Sequence, residues 1–263
     1  MNIKCSAHSI LEVPIVFRAV LTSAKLWRSI VSAIAELIDE ANFKATPDGL
    51  SLRAMDPSHV VMIELELPPM AFDEYVCDEE LMIGVNFDEF NKLLKRASAR
   101  ERLEMEVTDK SRLTLRFLGK ALRVFRMPLI DIAGEELPSP SLEFNVRARV
   151  ISDALKDAIK DASVISDYVK FKADPEALTL TASGDRGDVE VKLSEDMGSL
   201  VELEVKEPSA STYSLSYLSD MMKAVAAAEI VTVQFSTDMP LRLDFELPGD
   251  GRITYYLAPR MEA

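Results

Sequence analysis

Cysteine and histidine are scarce in this sequence of 263 residues. It contains only Cys5, Cys77, His8 and His59 of these two types. Two thiols cannot form a disulfide framework, and such sparing use of cysteine is typical of a reducing cell interior. Because no C-x-x-C pair accompanies the histidines, the sequence predicts no metal site.

Glycine-rich nucleotide motifs and long apolar runs are also absent. Neither a G-x-x-x-x-G-K loop nor a G-x-G-x-x-G fingerprint occurs, so no cofactor is expected. No apolar run is long enough to span a bilayer, and the N-terminus lacks a basic start followed by a long apolar stretch. We therefore expect an intracellular protein with no membrane partner and no signal peptide.

The candidate for a catalytic pair is Asp56 with His59, in "AMDPSH". An acid and a base at this spacing would favour a hydrolase. No nucleophile motif lies nearby, and the alternative is a turn in which Asp56 and Pro57 separate two strands. The sequence therefore predicts that the protein is not an enzyme.

What the sequence does contain is a repeat. "FKATPDGLSLRA", from Phe43 to Ala54, and "FKADPEALTLTA", from Phe171 to Ala182, match at seven of twelve positions with an offset of 128 residues. The same offset aligns later positions, among them Lys95 with Lys223 and Phe117 with Phe245. A fixed offset kept over separated segments predicts two structurally equivalent domains in tandem.

Each repeat has the same predicted order of helices and strands. Apolar residues at three- and four-residue spacing predict helices, and alternating apolar and polar residues predict strands. The predicted helices cover residues 22–41, 87–100, 147–163 and 215–228. The expected fold class is α+β, with two tandem similar domains that each have two helices packed on antiparallel sheets.

A long connector, residues 127–144, separates the repeats. Its three prolines and one glycine are typical of an exposed segment. Four of its residues are unusually apolar for a free linker: Leu129, Ile130, Ile132 and Leu137. They would either pin the connector to the surface or form one wall of a docking groove. The expected domains are residues 1–126, including an extension at 1–14, and residues 145–263.

The charge is unevenly distributed. The net charge of −14 argues against a nucleic-acid partner, because phosphates repel an acidic protein. The predicted helices nevertheless carry more basic than acidic residues, so the acidity lies in strands and loops. On the second helix, Lys92, Lys95 and Arg96 fall opposite the apolar side. Such a face is either simply solvated or contacts phosphates without reading bases.

Two stretches resemble a known family. "AMDPSHV" (Ala54 to Val60) and "ITYYLAPRME" (Ile253 to Glu262) resemble proliferating cell nuclear antigen, the DNA sliding clamp of eukaryotes and archaea, and the acidic composition is closer to the archaeal type. The resemblance implies a ring of three chains that encircles duplex DNA, with helices lining the hole. Such a ring tethers DNA polymerase and other replication and repair proteins. A checkpoint-type clamp subunit of the same fold is the alternative.

The resemblance also implies site residues. Those expected to face DNA are Lys25, Arg28, Lys92, Lys95, Arg96, Arg149, Lys156 and Lys223. Those expected to form the partner pocket are Met55, His59, Val60, Leu137, Pro240, Tyr256, Ala258 and Pro259. Ring closure would pair an edge strand near residues 112–119 with an edge near residues 183–191 of the next chain, because exposed edges need a partner.

The implied partners are double-stranded DNA, held without sequence specificity, and proteins with short peptide motifs. These proteins are DNA polymerase, the clamp loader, flap endonuclease and DNA ligase. The resemblance leaves open whether the ring is a homotrimer or a heterotrimer with paralogous subunits. It implies a location on DNA, in the cytoplasm or nucleoid of an archaeon or in a eukaryotic nucleus.

Overall fold

The structure, a computed structural model, describes residues 16–98, 100–133 and 137–260. The extension expected at residues 1–14 lies outside them. The first copy of the repeat consists of β1 (Phe17–Leu21), α1 (Ala24–Ile34), β2 (Glu40–Thr46), β3 (Gly49–Met55), β4 (Val61–Leu67), a 3₁₀ turn (Pro69–Ala71), β5 (Glu74–Cys77), β6 (Leu81–Asn86), α2 (Phe87–Leu94), β7 (Arg102–Val107), β8 (Arg112–Leu118) and β9 (Leu122–Pro128).

The second copy has the same strands and α-helices in the same order, and only the place of its 3₁₀ turn differs. It consists of β10 (Val146–Ile151), α3 (Ser152–Ile165), β11 (Tyr168–Asp174), β12 (Ala177–Gly184), β13 (Gly187–Leu193), β14 (Leu200–Val205), β15 (Ser209–Ser214), α4 (Leu215–Met221), a 3₁₀ turn (Met222–Ala227), β16 (Ile230–Phe235), β17 (Leu241–Leu247) and β18 (Gly251–Leu257). Both helices start 128 residues after their counterparts. The predicted repeat and fold class are confirmed.

The strands form three antiparallel sheets. Their orders are β5-β1-β7-β8-β9, β13-β12-β11-β15 and β14-β10-β16-β17-β18-β4-β3-β2-β6. The nine-stranded sheet crosses from the second copy to the first where β18 pairs with β4, from Arg252 opposite Glu66 to Leu257 opposite Val61. We call this pairing the internal joint. Through it, the nine-stranded sheet runs without interruption from one copy into the other.

The two helices of the first copy begin where the sequence supplies side-chain caps. The Ser23 hydroxyl accepts a hydrogen bond from the Lys25 N–H at 3.2 Å at the start of α1. The Asn86 side chain accepts one from the Glu89 N–H at 3.0 Å at the start of α2. Such caps satisfy N–H groups that have no partner inside the helix. Among the described residues, no helix is long and apolar enough to cross a membrane.

Two first-copy helices are shorter than predicted. α1 ends at Ile34 and not at residue 41, because the chain turns and enters β2 at Glu40. Leu37 and Ile38, whose spacing extended the predicted helix, are buried in that turn. α2 ends at Leu94, before the predicted residue 100, and turns follow it. Apolar spacing persisted past both helix ends because the following turns also face the core.

The predicted helix at residues 147–163 starts too early. Residues 147–151 belong to β10, and α3 begins at Ser152. Val146, Ala148 and Val150 are buried and alternate with partly exposed residues, which is the period of a strand. α4 with its following 3₁₀ turn ends at Ala227, close to the predicted residue 228.

Candidate functional site

The four helices form one layer on the sheets. α1 contacts α2 and the 3₁₀ turn after α4, while α3 contacts α4, so the layer runs across both copies. The buried residues of each helix are apolar for the most part and recur at helical spacing. The polar sides therefore point away from the sheets and together form one surface. We call it the helical face.

The first copy supplies free cations to the helical face. Exposed cations there are Lys25 and Lys92 on the helices, together with Lys95, Arg96 and Arg100 in the segment that follows α2. Their side chains make no hydrogen bond or ion pair with another residue of the described ranges. Arg28 differs, because it is half-buried and its Nη1 donates to the Ala97 carbonyl at 2.7 Å. Arg28 therefore ties α1 to the chain just after α2.

The predicted cations of the second copy are less available. Lys223 Nζ lies 2.5 Å from Glu36 Oε2 and 3.3 Å from Asp220 Oδ1. Burial lowers the pKa of Lys223, but its hydrogen bonds to Glu36 and Asp220 outweigh that effect and raise the pKa overall. Lys156 is half-buried on α3. Lys223 thus already has two anionic partners.

Arg149 lies on a different surface from the other predicted DNA-facing residues. It belongs to β10, where its side chain points away from the face of the buried Ala148 and Val150. Its Nη2 lies 3.0 Å from Glu246 Oε1. The prediction that a helix carries Arg149 is wrong, because strand alternation and not helical periodicity governs residues 146–151.

The connector crosses the face of the nine-stranded sheet opposite the helices, which we call the outer face. The Asn42 amide donates to the Ile132 carbonyl at 3.0 Å. Arg53 Nη1 donates to the Leu137 carbonyl at 2.5 Å. Asn42 and Arg53 each alternate with buried residues along β2 and β3, so both point outward. Side chains of the sheet therefore hold the backbone of the connector.

Gly84 allows the connector to approach the sheet closely. The Ile130 N–H donates to the Gly84 carbonyl at 3.0 Å. A Cβ atom at position 84 would lie 2.1 Å from the Ile130 carbonyl oxygen, a distance that atoms in proteins do not adopt. Only glycine fits this position without displacement of the connector.

An open groove of about 530 Å³ lies between the connector and β2, β3, β4 and β6. Met55 and Leu137, two of the predicted pocket residues, line it together with Ile132 and the exposed Met82. The other six predicted pocket residues do not line this groove. Both expectations for Ile132 and Leu137 therefore hold. Their backbone is hydrogen-bonded to the sheet, and the two residues also form one wall of the groove.

The remaining pocket residues lie along one end of the internal joint. Met62 lies opposite both Met55 and Tyr256, so these three share one row on the outer face. The Ala258 N–H donates to the Val60 carbonyl at 3.0 Å. Leu241 pairs with Leu257. Pro240 comes just before Leu241, and Pro259 comes just after Ala258, the neighbour of Leu257. The backbone thus places both halves of the predicted pocket at the same end of the joint.

Asp56 closes a turn instead of facing His59 as a catalytic partner. Its carboxylate accepts hydrogen bonds from the N–H groups of Ser58 at 3.0 Å, Val60 at 2.7 Å and Val61 at 2.6 Å. His59 is exposed and has a φ of 57°. The turn explanation is confirmed. Within the described ranges, no group of three or more His, Cys, Asp or Glu could hold a metal ion.

Of the two predicted edge strands, one is an edge and the other is not. β8, at residues 112–118, is interior because it pairs with both β7 and β9. The edges of that sheet are β9 and β5, so the prediction for residues 112–119 is wrong. At the other predicted edge, β13 is the outermost strand of its sheet. It starts at Gly187, within the predicted residues 183–191.

Sequence reasoning missed Arg123, which lies on β9. Its Nη1 donates to the Arg96 carbonyl at 2.9 Å, and its Nη2 lies 2.5 Å from Glu101 Oε2. Arg123 alternates in "LRVFRMP" with residues that point to the other side, and it shares its face with Phe125 and the buried Met127. An arginine on the core-facing side of a strand needs an anionic or carbonyl partner, which is the signal that could have found it.

Two tandem copies of one α+β unit, joined through one sheet with their helices in one layer, define a clamp protein. Sequence models described as the N-terminal and C-terminal domains of proliferating cell nuclear antigen match residues 16–128 and 139–260. The chain belongs to the proliferating cell nuclear antigen family. Relatives named DNA polymerase sliding clamp confirm that function in preference to the checkpoint-type alternative.

Several similar proteins come from archaea. A protein named DNA polymerase sliding clamp from Thermofilum pendens is 44% identical, over 92% of this chain and 98% of its own length. One of the same name from Thermococcus gammatolerans is 43% identical, over 94% and 99%. A crystal structure of PCNA from Thermococcus kodakaraensis matches with a TM-score of 0.89 at 35% identity, covering 93% of this chain and all of that one. The PCNA2-PCNA3 complex from Sulfolobus tokodaii gives 0.87 at 31%, with the same coverage.

Proposed function

We propose that this chain is one segment of a ring that encircles duplex DNA and tethers DNA polymerase and other replication and repair proteins to it. The observation that carries the proposal is the internal joint. β9 is the counterpart of β18, and β13 is the counterpart of β4. Inside the chain β18 pairs with β4, whereas β9 and β13 end their sheets.

Equivalent strands have equivalent backbones. Because β18 pairs with β4 inside the chain, β9 of one chain would pair with β13 of the next in the same way. Leu122 and Val124 of β9 are 62% and 37% exposed and would be covered by such pairing. Repeated head-to-tail contacts close a ring when the rotation per chain permits. We propose three chains per ring, either identical or paralogous. The Sulfolobus tokodaii complex, which combines two clamp proteins, supports assembly of this kind.

In this ring the helical face lines the hole. Contacts from its cations to phosphates carry no base information, which suits a protein that moves along DNA. Arg149, which lies on the outer side of β10, is not part of the proposed DNA-facing set. We retain residues 1–126 and 145–263 as the two domains.

The outer face serves partner proteins. The groove beside the connector and the end of the internal joint offer apolar anchor positions for a short peptide that carries a glutamine and two aromatic residues. The proposed partners are DNA polymerase, the clamp loader, flap endonuclease and DNA ligase. A tether of this kind acts by raising local concentration and needs no catalysis. We accordingly propose a non-enzymatic, intracellular protein located on DNA.

Assembly and retention on DNA test this function together. Native mass spectrometry of the purified chain, alone and mixed with any paralogues, is expected to give a three-chain assembly. A ring loaded on nicked circular DNA should remain bound and should be released when the DNA is linearised. A chain that stays monomeric in every mixture would overturn the proposal.

A further inference from the structure

We propose that the end of α2 and the segment just after it carry the principal phosphate-contact site of each chain, and that Arg28 and Arg123 position this site. The contact residues, which we call the α2 basic site, are Lys92, Lys95, Arg96 and Arg100. The inference rests on the proposed function, because it concerns the DNA inside the ring. It assigns Arg28 a positioning role instead of the phosphate contact that the family resemblance implies, and it adds Arg100 to the contacts.

The repeat itself provides the comparison. Positions 128 residues after the four members of the α2 basic site hold Asp220, Lys223, Ala224 and Ala228. One of these is an acid, two are alanines, and Lys223 is paired with Glu36 and Asp220. The α4 counterpart therefore has no free cation. Duplication supplied two equivalent places on the helical face, and only the first has the charge to hold phosphates.

α3 does not replace the missing charge. Lys160 Nζ lies 3.0 Å from Asp157 Oδ1 one helical turn away. Lys156, the counterpart of Arg28, lies between Asp153 and Asp157 in the sequence of the same helix. A phosphate that approaches α3 meets three aspartates, counting Asp161, as well as the two lysines. Repulsion from these carboxylates offsets the attraction of the lysines.

The end of α2 would by itself repel phosphate. The last carbonyls of a helix form the negative end of its dipole. In the turn that follows α2, which ends at Leu94, the Arg28 and Arg123 guanidinium groups donate to the carbonyls of Ala97 at 2.7 Å and Arg96 at 2.9 Å. Both guanidinium groups thus satisfy acceptors next to the helix end, and Arg28, which has no carboxylate partner among the described residues, offsets the negative end. The α2 basic site can act at a helix C-terminus because of this neutralisation.

The same contacts hold the backbone of the site in place. Glu101 Oε2 accepts a hydrogen bond from the Ser98 N–H at 2.7 Å and lies 2.5 Å from Arg123 Nη2. Backbone that is already fixed loses less entropy when its side chains bind phosphate. The counterpart of Arg123 in the second copy is Gly251, which has no side chain to do this.

Two triple variants that each remove three charges per chain test the contact site. The first is Lys92→Gln with Lys95→Gln and Arg96→Gln, and the control is Lys156→Gln with Lys160→Gln and Lys223→Gln. Affinity for a fluorescein-labelled linear duplex is measured against salt concentration. The slope of log affinity against log salt should fall by about 0.9 for every phosphate that the first variant no longer binds. An equal or larger fall in the control overturns the inference.

A double-mutant comparison tests the positioning role. Arg28→Met should weaken DNA binding in the wild-type background and have no further effect once Lys95 and Arg96 are glutamine, because its effect passes through them. Lys25→Met, a matched removal of charge on the same helix, should weaken binding equally in both backgrounds. If Arg28→Met weakens binding equally in both backgrounds, Arg28 contacts phosphate directly, and its positioning role is overturned.

The two levels of proposal fail in different ways. Native mass spectrometry of each variant confirms that the ring is intact before affinities are compared. A wild-type chain that forms no ring, or is not retained on nicked circular DNA, contradicts the proposed function. A wild-type ring that is retained, with a first triple variant that binds duplex as tightly, contradicts only the α2 basic site.

Discussion

The two copies of the repeat have the same elements at the same spacing but different surroundings. β2 and β3 lie in the nine-stranded sheet beneath the connector, whereas their counterparts β11 and β12 lie in a four-stranded sheet next to the edge strand β13. The buried faces of these strand pairs remain apolar in both copies. A duplicated scaffold can therefore be specialised through its edges and exposed faces while the core keeps its pattern.

The turns in the repeated stretch show the same divergence at small scale. Gly49 has a φ of 138°, and a Cβ atom there would lie 2.4 Å from the Leu67 carbonyl oxygen. Its counterpart is Ala177. There the Asp174 carboxylate accepts the N–H groups of Glu176 at 2.8 Å and Ala177 at 3.1 Å, so side-chain hydrogen bonds close the turn. Of these two turns, only the one at Gly49, which the end of β4 approaches, requires glycine.

The largest expected effect comes from β9. It is an edge strand, whereas its counterpart β18 is paired on both sides. The double variant Leu122→Asp with Val124→Asp replaces two apolar side chains, which would be covered in the ring, with carboxylates. Burial of two such side chains contributes about 1.5–3 kcal/mol each. We expect the dissociation constant between chains to rise by at least about 100-fold in sedimentation velocity.

The control for this variant is Met70→Asp, which changes another exposed apolar residue away from β9 and β13. It should leave the assembly unchanged. Circular dichroism should show that both proteins are folded. A double variant that keeps the mass of the wild-type assembly would show that β9 is not the contact between chains.

The next effect concerns the connector where it crosses the first copy. Gly84→Ala places a methyl group 2.1 Å from the Ile130 carbonyl oxygen and must displace the connector. We expect a decrease of about 1–3 kcal/mol in the free energy of unfolding and weaker binding of a partner peptide. The counterpart position holds Thr212, so a side chain is accommodated in the second copy. Unchanged stability and peptide affinity would contradict the role of this close approach.

A smaller effect is expected where the helices of the two copies meet. Lys223→Met removes the ion pair with Glu36, and Glu36→Gln removes it from the other side. The two side chains are 44% and 34% exposed, so solvent screens the pair. We expect a coupling energy of about 0.5 kcal/mol in a denaturant-based double-mutant cycle. A coupling of several kcal/mol would mean that this pair, and not the internal joint, holds the copies together.

The smallest effect is a pH dependence confined to the first copy. Hydrogen bonds from the side chain and the N–H of Thr22 hold the pKa of Asp73 below its ordinary value. The carboxylate therefore stabilises the fold above the unfolded pKa of about 3.9, and this contribution is lost as pH falls through the lower folded pKa. Asp73→Asn should reduce stability slightly at pH 7 and not at pH 2, measured by urea unfolding. The counterpart position, Val201, cannot titrate, and a wild-type-like pH profile in Asp73→Asn would contradict this assignment.

The repeat, the helices and the basic side of α2 could be predicted from sequence because they depend on local identity and periodicity. Lys92, Lys95 and Arg96 follow from helical spacing once Phe87 begins the helix. The boundary between β10 and α3 could not be placed, since alanine and valine near Ser152 fit both periods. That ambiguity led the prediction to place Arg149 on a helix, whereas it lies on β10.

The edges and the positioning contacts could not be predicted because they depend on sheet order. The alternation of "LTLRF" is the same whether β8 is an edge or an interior strand. Its position follows from the pairing of β9 outside it. Arg123 and Gly84 likewise act through residues 27 and 46 positions away, Arg96 and Ile130. Contacts at such separations leave only weak signals in a single sequence.

The internal joint has a consequence for how long a ring stays closed. It is reinforced by the Arg252–Glu66 pair at 2.6 Å and by Gly249, whose backbone approaches Ala71 so closely that a Cβ atom would lie 2.5 Å from it. Its two strands belong to one molecule and cannot diffuse apart, whereas a strand of another chain can. Opening would therefore occur between chains, and each chain would move as one stiff arc. The residence time of the ring on circular DNA would then be set by the lifetime of its weakest intermolecular strand pair.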